Sequence, residues 1–165
     1  MELGTWNLGE RHMKHGTPRK PRGRLSNPSE ASGQALEPES SIKLIQTPNA
    51  PIPAGHYSQA VVHNSTVYVS GQLPIDPETG EKCLGSIEEQ TEQVLKNLAA
   101  ILEAAGSGLD RVLKVTVYVS DISLWGGVNN VYAKFVGNHR PARVVVPTRD
   151  LHHGFLIEME AVAAV

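Results

Sequence analysis

The sequence predicts an α+β domain in which two helices pack on one face of a mixed β-sheet. One segment carries a helix cap followed by apolar residues at steps of three and four, and short β-branched runs lie on both sides of it. After residue 54 the predicted elements follow in the order ββαβαβ, without an internal repeat. Because each helix follows one strand and precedes another, both are expected on the same sheet face.

The first 42 residues differ in composition from the rest of the chain. They hold four of the 11 prolines, one aromatic residue and no sustained apolar period. Such a segment buries too little apolar surface to offset the entropy of ordering it. We predict a disordered N-terminal extension over residues 1–42 and one domain over residues 43–165, whose size suits a single core.

Charge and hydropathy limit the possible partners. Residues 1–42 hold six of the 15 basic and five of the 17 acidic residues, which leaves nine basic and twelve acidic residues, a net charge of −3, for 43–165. A nucleic-acid partner is therefore not expected of the domain, although the basic block 11–24 could touch RNA or acidic lipid instead of being a solvated tail. The sequence has no apolar run of 18 residues, so a membrane-spanning helix is not expected. Cys83 is the only cysteine, so an internal disulfide is excluded, and we expect a cytoplasmic protein.

The first strands are predicted from β-branched and aromatic runs. Ile42–Ile45 is expected to form a short strand, and Tyr57–Val62 with Thr66–Ser70 is expected to form a hairpin. Asn64 lies in the connection and tolerates the left-handed conformation that hairpin turns require. Gly71 follows directly and would allow a sharp turn or a close approach to a ligand.

The sequence predicts where the first helix begins and where it ends. Ser86 and Glu89 have the spacing of a capping box, and Gly106 is placed to end the helix. The buried stripe between them consists of Ile87, Val94, Leu95, Leu98, Ile101, Leu102 and Ala105.

The second half of the chain repeats the strand and helix pattern. Val112–Val119 alternates as a strand, and Asp121 or Ser123 can cap a second helix that the pair Gly126-Gly127 weakens by about 1 kcal/mol per glycine. The buried stripe of that helix consists of Leu124, Val128, Val131, Tyr132 and Phe135, and the closing strands are Arg143–Val146 and Leu156–Val162.

One sheet face is left without helices in this arrangement. The residues predicted to need a further cover are Val61, Val69, Val117 and Ile157. They are too apolar to remain in water, and a homo-oligomer that packs sheet against sheet would bury them.

The candidate site is built on Arg143 and Glu158, which are fifteen residues apart. Arg143 lies where a loop containing Pro141 enters a β-branched run, and its guanidinium can hold a carboxylate or phosphate by two hydrogen bonds. A glutamate on the adjoining segment could place a water molecule or move a proton. By spacing alone, the ordinary interpretation is that both are surface charges or an ion pair, since most charged residues are solvated.

Several motifs taken together resemble one known family. The motifs are Tyr57-Ser58-Gln59-Ala60, Ser70-Gly71-Gln72-Leu73-Pro74, Asp76-Pro77-Glu78-Thr79-Gly80, Glu89-Gln90-Thr91 with Val94, Leu95, Asn97 and Leu98, Val128-Asn129 with Tyr132, Arg140-Pro141-Ala142-Arg143, and Ile157-Glu158-Met159-Glu160-Ala161. Through them, the sequence over residues 43–165 resembles the RidA/YjgF/L-PSP family of reactive-intermediate (enamine/imine) deaminases.

This resemblance implies a chorismate-mutase-like subunit in a homotrimer, with sites in the clefts between subunits. It implies hydrolysis of 2-enamino and 2-imino acids to 2-oxo acids and ammonia, without a cofactor or a metal. The partners that it implies are therefore small 2-imino and 2-oxo carboxylates and further copies of the chain.

The resemblance also assigns roles to individual residues. Arg143 matches the carboxylate-binding arginine, Glu158 matches the glutamate that positions the attacking water, and Tyr57 matches the tyrosine that closes the cleft from a neighbouring subunit. The substrate-binding positions that it implies besides Arg143 are Ser70, Gly71 and Asn129.

The chain departs from the family pattern near the implied site. Val144 and Val145 stand where many members have a small polar residue and a cysteine, and His56 stands at a common proline position. The turn with His152 and His153 replaces a Leu-Pro-Lys-rich one. The two histidines would point to opposite faces if extended, which disfavours joint metal binding, but each of these histidines could line the cleft.

Two further functions stay open at this stage. A non-catalytic trimer that binds small carboxylates would share Arg143 without needing Glu158. An endoribonuclease or translation inhibitor, as the older family name suggests, would need a basic surface, which the net charge of −3 does not favour.

Overall fold

The computed structural model describes residues 41–165, which form one six-stranded mixed sheet and two helices. The strands are ordered β1-β2-β3-β6-β4-β5, and the β4–β5 pair is parallel whereas all others are antiparallel. The elements are β1 (Lys43–Ile45), β2 (Ala60–His63), β3 (Thr66–Gln72), α1 (Ile87–Ala104), β4 (Val112–Val119), α2 (Trp125–Val136), β5 (Ala142–Pro147) and β6 (Ile157–Ala164). Short 3-10 turns lie at Leu109–Arg111, Ile122–Leu124 and His152–Gly154.

The prediction of two helices on a mixed sheet in an α+β fold is confirmed. The order ββαβαβ counts one closing strand, whereas both predicted closing strands, Arg143–Val146 and Leu156–Val162, are present after α2 as β5 and β6. The last strand, β6, inserts between β3 and β4 at the centre of the sheet. It thereby joins the N-terminal hairpin to the β4–β5 pair.

Predicted turn chemistry accounts for the hairpin between β2 and β3. Asn64 and Ser65 both have positive φ, 49° and 56°, as the two central residues of a type I′ turn do. Strand β2 begins at Ala60, three residues later than predicted, because Tyr57 turns back to donate its N–H to the Gly55 carbonyl. Strand β3 continues past Ser70 through a bulge between Val69 and Gln72.

Both predicted ends of α1 are present. Ser86 accepts a hydrogen bond from the Glu89 N–H, and the Glu89 carboxylate accepts one from the Ser86 N–H. At the other end Gly106 takes a φ of 82°, and its N–H and that of Ser107 donate to the Glu103 and Leu102 carbonyls. This is a Schellman ending, and it requires the left-handed conformation that glycine adopts without strain.

The start of α2 differs from the prediction. Asp121 Oδ1 accepts from the Ser123 N–H at 2.7 Å, but this caps the preceding 3-10 turn, and α2 itself starts after Leu124 without a side-chain cap. Gly127 has a packing reason, because a Cβ there would lie 2.6 Å from Ile87 Cγ2. The glycine therefore lets α2 approach the first turn of α1.

The prediction of which residues face away from the helices is wrong at three of four positions. Val69, Val117 and Ile157 are buried in the core with the helices, because they alternate with the residues of the other face. Val61 pairs with Tyr68, which is 48% exposed, and so lies on the sheet face that carries no helix, called the open face below. Leu44 and Val144 are also more than 40% exposed, so apolar surface remains outside the core.

The N-terminal prediction falls almost entirely outside the described residues. Of the segment 1–42, the structure describes residues 41 and 42. The disordered extension and the domain boundary at residue 43 therefore stay predictions. Within residues 41–165 the helices are too short or too polar to cross a membrane.

Candidate active site

Glu158 and Gly71 form the tightest part of a cleft on the open face of the sheet. The Glu158 side chain, on β6, lies directly over the Gly71 backbone, on β3. A Cβ built at Gly71 would overlap Glu158 Oε1 and lie 3.0 Å from the carboxyl carbon. The absence of a side chain at residue 71 therefore makes the room for the carboxylate.

The cleft around this pair has a volume of about 650 Å³, which suits a small ligand. Its walls combine the loop 51–57, the end of β3 and the turn before β6. Four other residues singled out from the sequence line it: Tyr57, Ser70, His152 and His153. Tyr57 is 56% exposed at its rim, and the Ser70 hydroxyl donates to the Ser58 carbonyl at 2.7 Å.

Gln59 holds the loop wall of the cleft in place. Its buried amide accepts from the Thr47 N–H at 2.6 Å and donates to the carbonyls of Thr47, Ala50 and Pro51 at 2.9 to 3.0 Å. Its two N–H groups are shared among the three carbonyls, so that one side chain serves four backbone groups that a loop cannot satisfy by itself. The loop geometry next to Glu158 consequently depends on a residue that the sequence indicated only as part of a motif.

The cleft changes the acid strength of Glu158. Burial raises the pKa of Glu158, the positive field of His152 partly offsets this, and the neighbouring Glu160 adds to the rise. Glu160 is on the same face and accepts a hydrogen bond from the Tyr118 hydroxyl at 3.4 Å. A carboxylate with a raised pKa is a stronger base than an ordinary glutamate and is better suited to accept a proton in general acid–base chemistry.

Arg143 is held by α2. Its guanidinium donates to Asn129 Oδ1 at 2.8 Å, and its central carbon lies 4.6 Å from the centre of the Tyr132 ring. Within residues 41–165 no carboxylate lies within ion-pair distance of Arg143. The salt bridge in this part of the chain joins Lys96 and Glu92, which are both on α1. Two of the predicted substrate-binding residues, Arg143 and Asn129, are therefore in contact, and further N–H groups of Arg143 remain for an anion.

Arg143 and Glu158 do not meet within one chain. Arg143 pairs with Val115, which is buried under the helices, whereas Glu158 pairs with Tyr118, on the alternate face of β4. The two positions are three residues apart along β4 and on strands on either side of it, roughly 14 Å from backbone to backbone. The predicted site is thus divided into two halves on opposite faces of the sheet.

The two histidines of the turn that differs from the family pattern, His152 and His153, lie at the cleft. His153 adopts a left-handed φ of 58°, so the pair is not extended as assumed, and the two rings meet edge to face at 5.1 Å. His152 and His153 line the cleft, and His56 is an exposed residue of the neighbouring loop. In the part of the chain that the structure describes, no three metal-binding side chains come together.

Sequence reasoning placed Tyr132 in a buried stripe and missed its contact with Arg143. Asn129 and Tyr132 are three residues apart on a helix and so share a face, a spacing that could have pointed to a common partner. Glu160 and Tyr118 were missed because only the register of β6 against β4 brings them together.

Comparisons with known proteins agree with this architecture. A family profile described as Endoribonuclease L-PSP matches residues 47–165. The chain is 50% identical to a RutC family protein of Pyrococcus horikoshii over 121 residues, 73% of this chain and 96% of that protein. It is 43% identical to a 2-iminobutanoate/2-iminopropanoate deaminase of Rattus norvegicus, over 73% of this chain and 88% of that protein.

Solved structures give the same picture. RidA from an Antarctic Psychrobacter superimposes with a TM-score of 0.72 at 41% identity, covering 74% of this chain and 99% of that one. The E. coli protein TdcF with bound serine superimposes with a TM-score of 0.71 at 35% identity, covering 74% and 98%. The described fold is therefore shared over nearly the whole length of these proteins.

Proposed function

The chain belongs to the Endoribonuclease L-PSP family, also called RidA/YjgF, and from this premise we propose that it hydrolyses reactive 2-imino and 2-enamino acids to 2-oxo acids and ammonia. The observation that carries the proposal is the Arg143 site. A guanidinium fixed by Asn129 and Tyr132, with no carboxylate partner in residues 41–165, is ready for a small carboxylate ligand. Similarity to three mammalian 2-iminobutanoate/2-iminopropanoate deaminases supports this choice of ligand.

The proposed reaction needs a carboxylate anchor, a water molecule and a proton route. Arg143 binds the substrate carboxylate. A 2-enamino acid first takes a proton at C3 to become the imine, and water then adds to C2. Glu158 accepts a proton from that water and passes it to the nitrogen; the hydroxyl group now on C2 then gives its proton to Glu158 as the C2–N bond breaks, so that the C2 carbonyl forms and ammonia leaves. The imine is electrophilic, so no activated side-chain nucleophile is needed.

Both halves of the site must reach one small substrate. Because Arg143 and Glu158 are on opposite faces of one sheet, the proposed site combines Arg143 and Asn129 of one subunit with Glu158, Gly71, Ser70 and Tyr57 of a neighbour. A homotrimer with three such clefts satisfies this requirement, and Tyr57 at the cleft rim would close over the substrate.

The test uses imine that an amino-acid oxidase generates in solution. Wild-type protein should accelerate release of 2-oxobutanoate from 2-aminobutanoate-derived imine, and Arg143→Ala should retain less than about a tenth of that acceleration, the effect of losing a charged bidentate contact. Arg111→Ala, at an exposed arginine, is the matched control and should behave as wild type. Equal rates with and without wild-type protein would contradict the proposal.

Glu158→Gln separates an enzyme from a non-catalytic carboxylate binder. For the enzyme, kcat should fall by about 100-fold, the lower range for loss of a general base, while 2-oxobutanoate still binds. If the protein only binds carboxylates, the wild type itself should show no turnover. An RNA-cleaving activity is not favoured, because residues 43–165 carry a net charge of −3.

A further inference from the structure

Tyr132 lies beneath the guanidinium of Arg143. The side chain belongs to α2, is 7% exposed and presents its ring face to the Arg143 guanidinium carbon at 4.6 Å. Asn129, one turn earlier on the same helix, accepts a hydrogen bond from Arg143 Nη2 at 2.8 Å. The ring and the amide thus restrict the guanidinium from its face and from one edge.

The hydroxyl group of Tyr132 takes no part in this arrangement. It is buried and has no hydrogen-bond partner within residues 41–165. A buried hydroxyl without a partner costs free energy, and it is closed to a ligand that approaches from solvent. Whatever Tyr132 contributes to the site must therefore come from its ring face.

We propose that Tyr132 is a positioning residue for substrate recognition, whose ring holds the Arg143 guanidinium in the orientation that binds the carboxylate of a small 2-oxo or 2-imino acid. This inference rests on the proposed function, because it assigns Arg143 to the carboxylate. Asn129 occupies one N–H group of Arg143, and the ring face fixes the plane of the guanidinium. The remaining N–H groups can then form the planar, two-bond contact that a carboxylate accepts.

Arginine has many rotamers, so an unrestrained guanidinium would lose most of its freedom each time a ligand binds. A ring that already restrains it removes this loss from the binding step. A cation–π contact at a partly desolvated site corresponds to about 2- to 30-fold in binding. The effect should fall on KM and on ligand affinity and leave kcat within about threefold, because Tyr132 acts through binding and not on the reacting atoms.

The experiment measures the affinity for 2-oxobutanoate by calorimetry in the full chain, together with KM and kcat. Tyr132→Phe keeps the ring and should bind within about twofold of wild type, whereas Tyr132→Leu should bind about 5- to 30-fold more weakly. Thermal unfolding identifies variants that fail to fold, and Tyr132→Met, with a flexible side chain of similar length, replaces the leucine variant if needed.

The outcomes separate this inference from the proposed function. Loss of affinity in Tyr132→Phe, or wild-type affinity in a folded Tyr132→Leu or Tyr132→Met, would overturn the positioning role even if the protein hydrolyses imines. No binding of 2-oxobutanoate to the wild type would overturn it as well. Binding that follows the expected series without any imine hydrolysis would support the positioning role and refute the proposed reaction.

Discussion

Gly71 of β3 leaves the space in which the carboxylate of Glu158 of β6 lies. The two residues come from strands that are far apart in sequence and adjacent in the sheet. The bulge between Val69 and Gln72 brings the Gly71 backbone to this position, and the Gln72 amide donates to the Gly71 carbonyl at 3.3 Å. The position of the proposed catalytic carboxylate is thus set by the backbone of another strand.

Gly71→Ala should therefore reduce activity more than stability. The added methyl group would overlap the far end of the flexible Glu158 side chain, which can turn away at small cost, but the carboxylate would leave its position. We expect kcat to fall by about 10- to 100-fold, because small misplacements of a catalytic group are costly. Steady-state kinetics and thermal unfolding test this. Gly126→Ala, where a Cβ meets open space, is the control, and equal activity of the two variants would contradict the prediction.

Glu158→Gln should stabilise the protein at neutral and alkaline pH. Burial raises the folded-state pKa of Glu158 above its ordinary value of 4.5, so the folded protein holds the proton more tightly than the unfolded chain. The charged form therefore destabilises the fold above the raised pKa, and this cost disappears as the pH falls through the raised pKa towards 4.5.

The unfolding midpoint of Glu158→Gln should thus exceed that of the wild type at pH 8, and the two should converge near pH 4, below the ordinary glutamate pKa. Glu81→Gln, at an exposed glutamate, controls for the change in net charge. A difference between Glu158→Gln and wild type that persists or grows in acid would contradict the prediction.

Gln59→Leu should destabilise the loop wall of the cleft. Leucine has a similar volume but leaves the Thr47 N–H and the carbonyls of Thr47, Ala50 and Pro51 without their partner. We expect a loss of about 2–4 kcal/mol in the free energy of unfolding, since each buried group left unpaired costs about 1–3 kcal/mol. Urea unfolding measures this loss. Gln46→Leu places the same substitution at an exposed glutamine, and an equal effect at both positions would refute the argument.

Local chemistry in the sequence accounts for much of the fold. The capping box at Ser86, the ending at Gly106, the turn at Asn64 and the strand Val112–Val119 are all found as predicted. Each depends on neighbouring residues, so one sequence suffices to predict it. Alternation likewise shows that Val117 and Val115 share a face, but not that the helices cover this face, which is why the residues of the open face were wrongly predicted.

Nonlocal pairing decides the rest of the site. A spacing of fifteen residues between Arg143 and Glu158 contains no information on register, and only the insertion of β6 between β3 and β4 puts the two side chains on opposite faces. The same insertion places Glu158 over Gly71 and beside Glu160. The resemblance to a family was enough to assign Arg143 and Glu158 to one site. Only the structure shows that their side chains lie on opposite faces of the sheet.

That distribution predicts complementation between two inactive variants. If one site uses Arg143 of one subunit and Glu158 of another, a trimer that mixes Arg143→Ala and Glu158→Gln chains contains one cleft in which both residues are intact. Co-expression with two different tags and purification over both isolates such mixed trimers. They should recover about one third of the wild-type activity, since one of three clefts is restored. Each variant alone is the control and should stay inactive. Mixed trimers without activity would show that one chain supplies both residues, and would refute the proposed site between subunits even if the wild type hydrolyses imines.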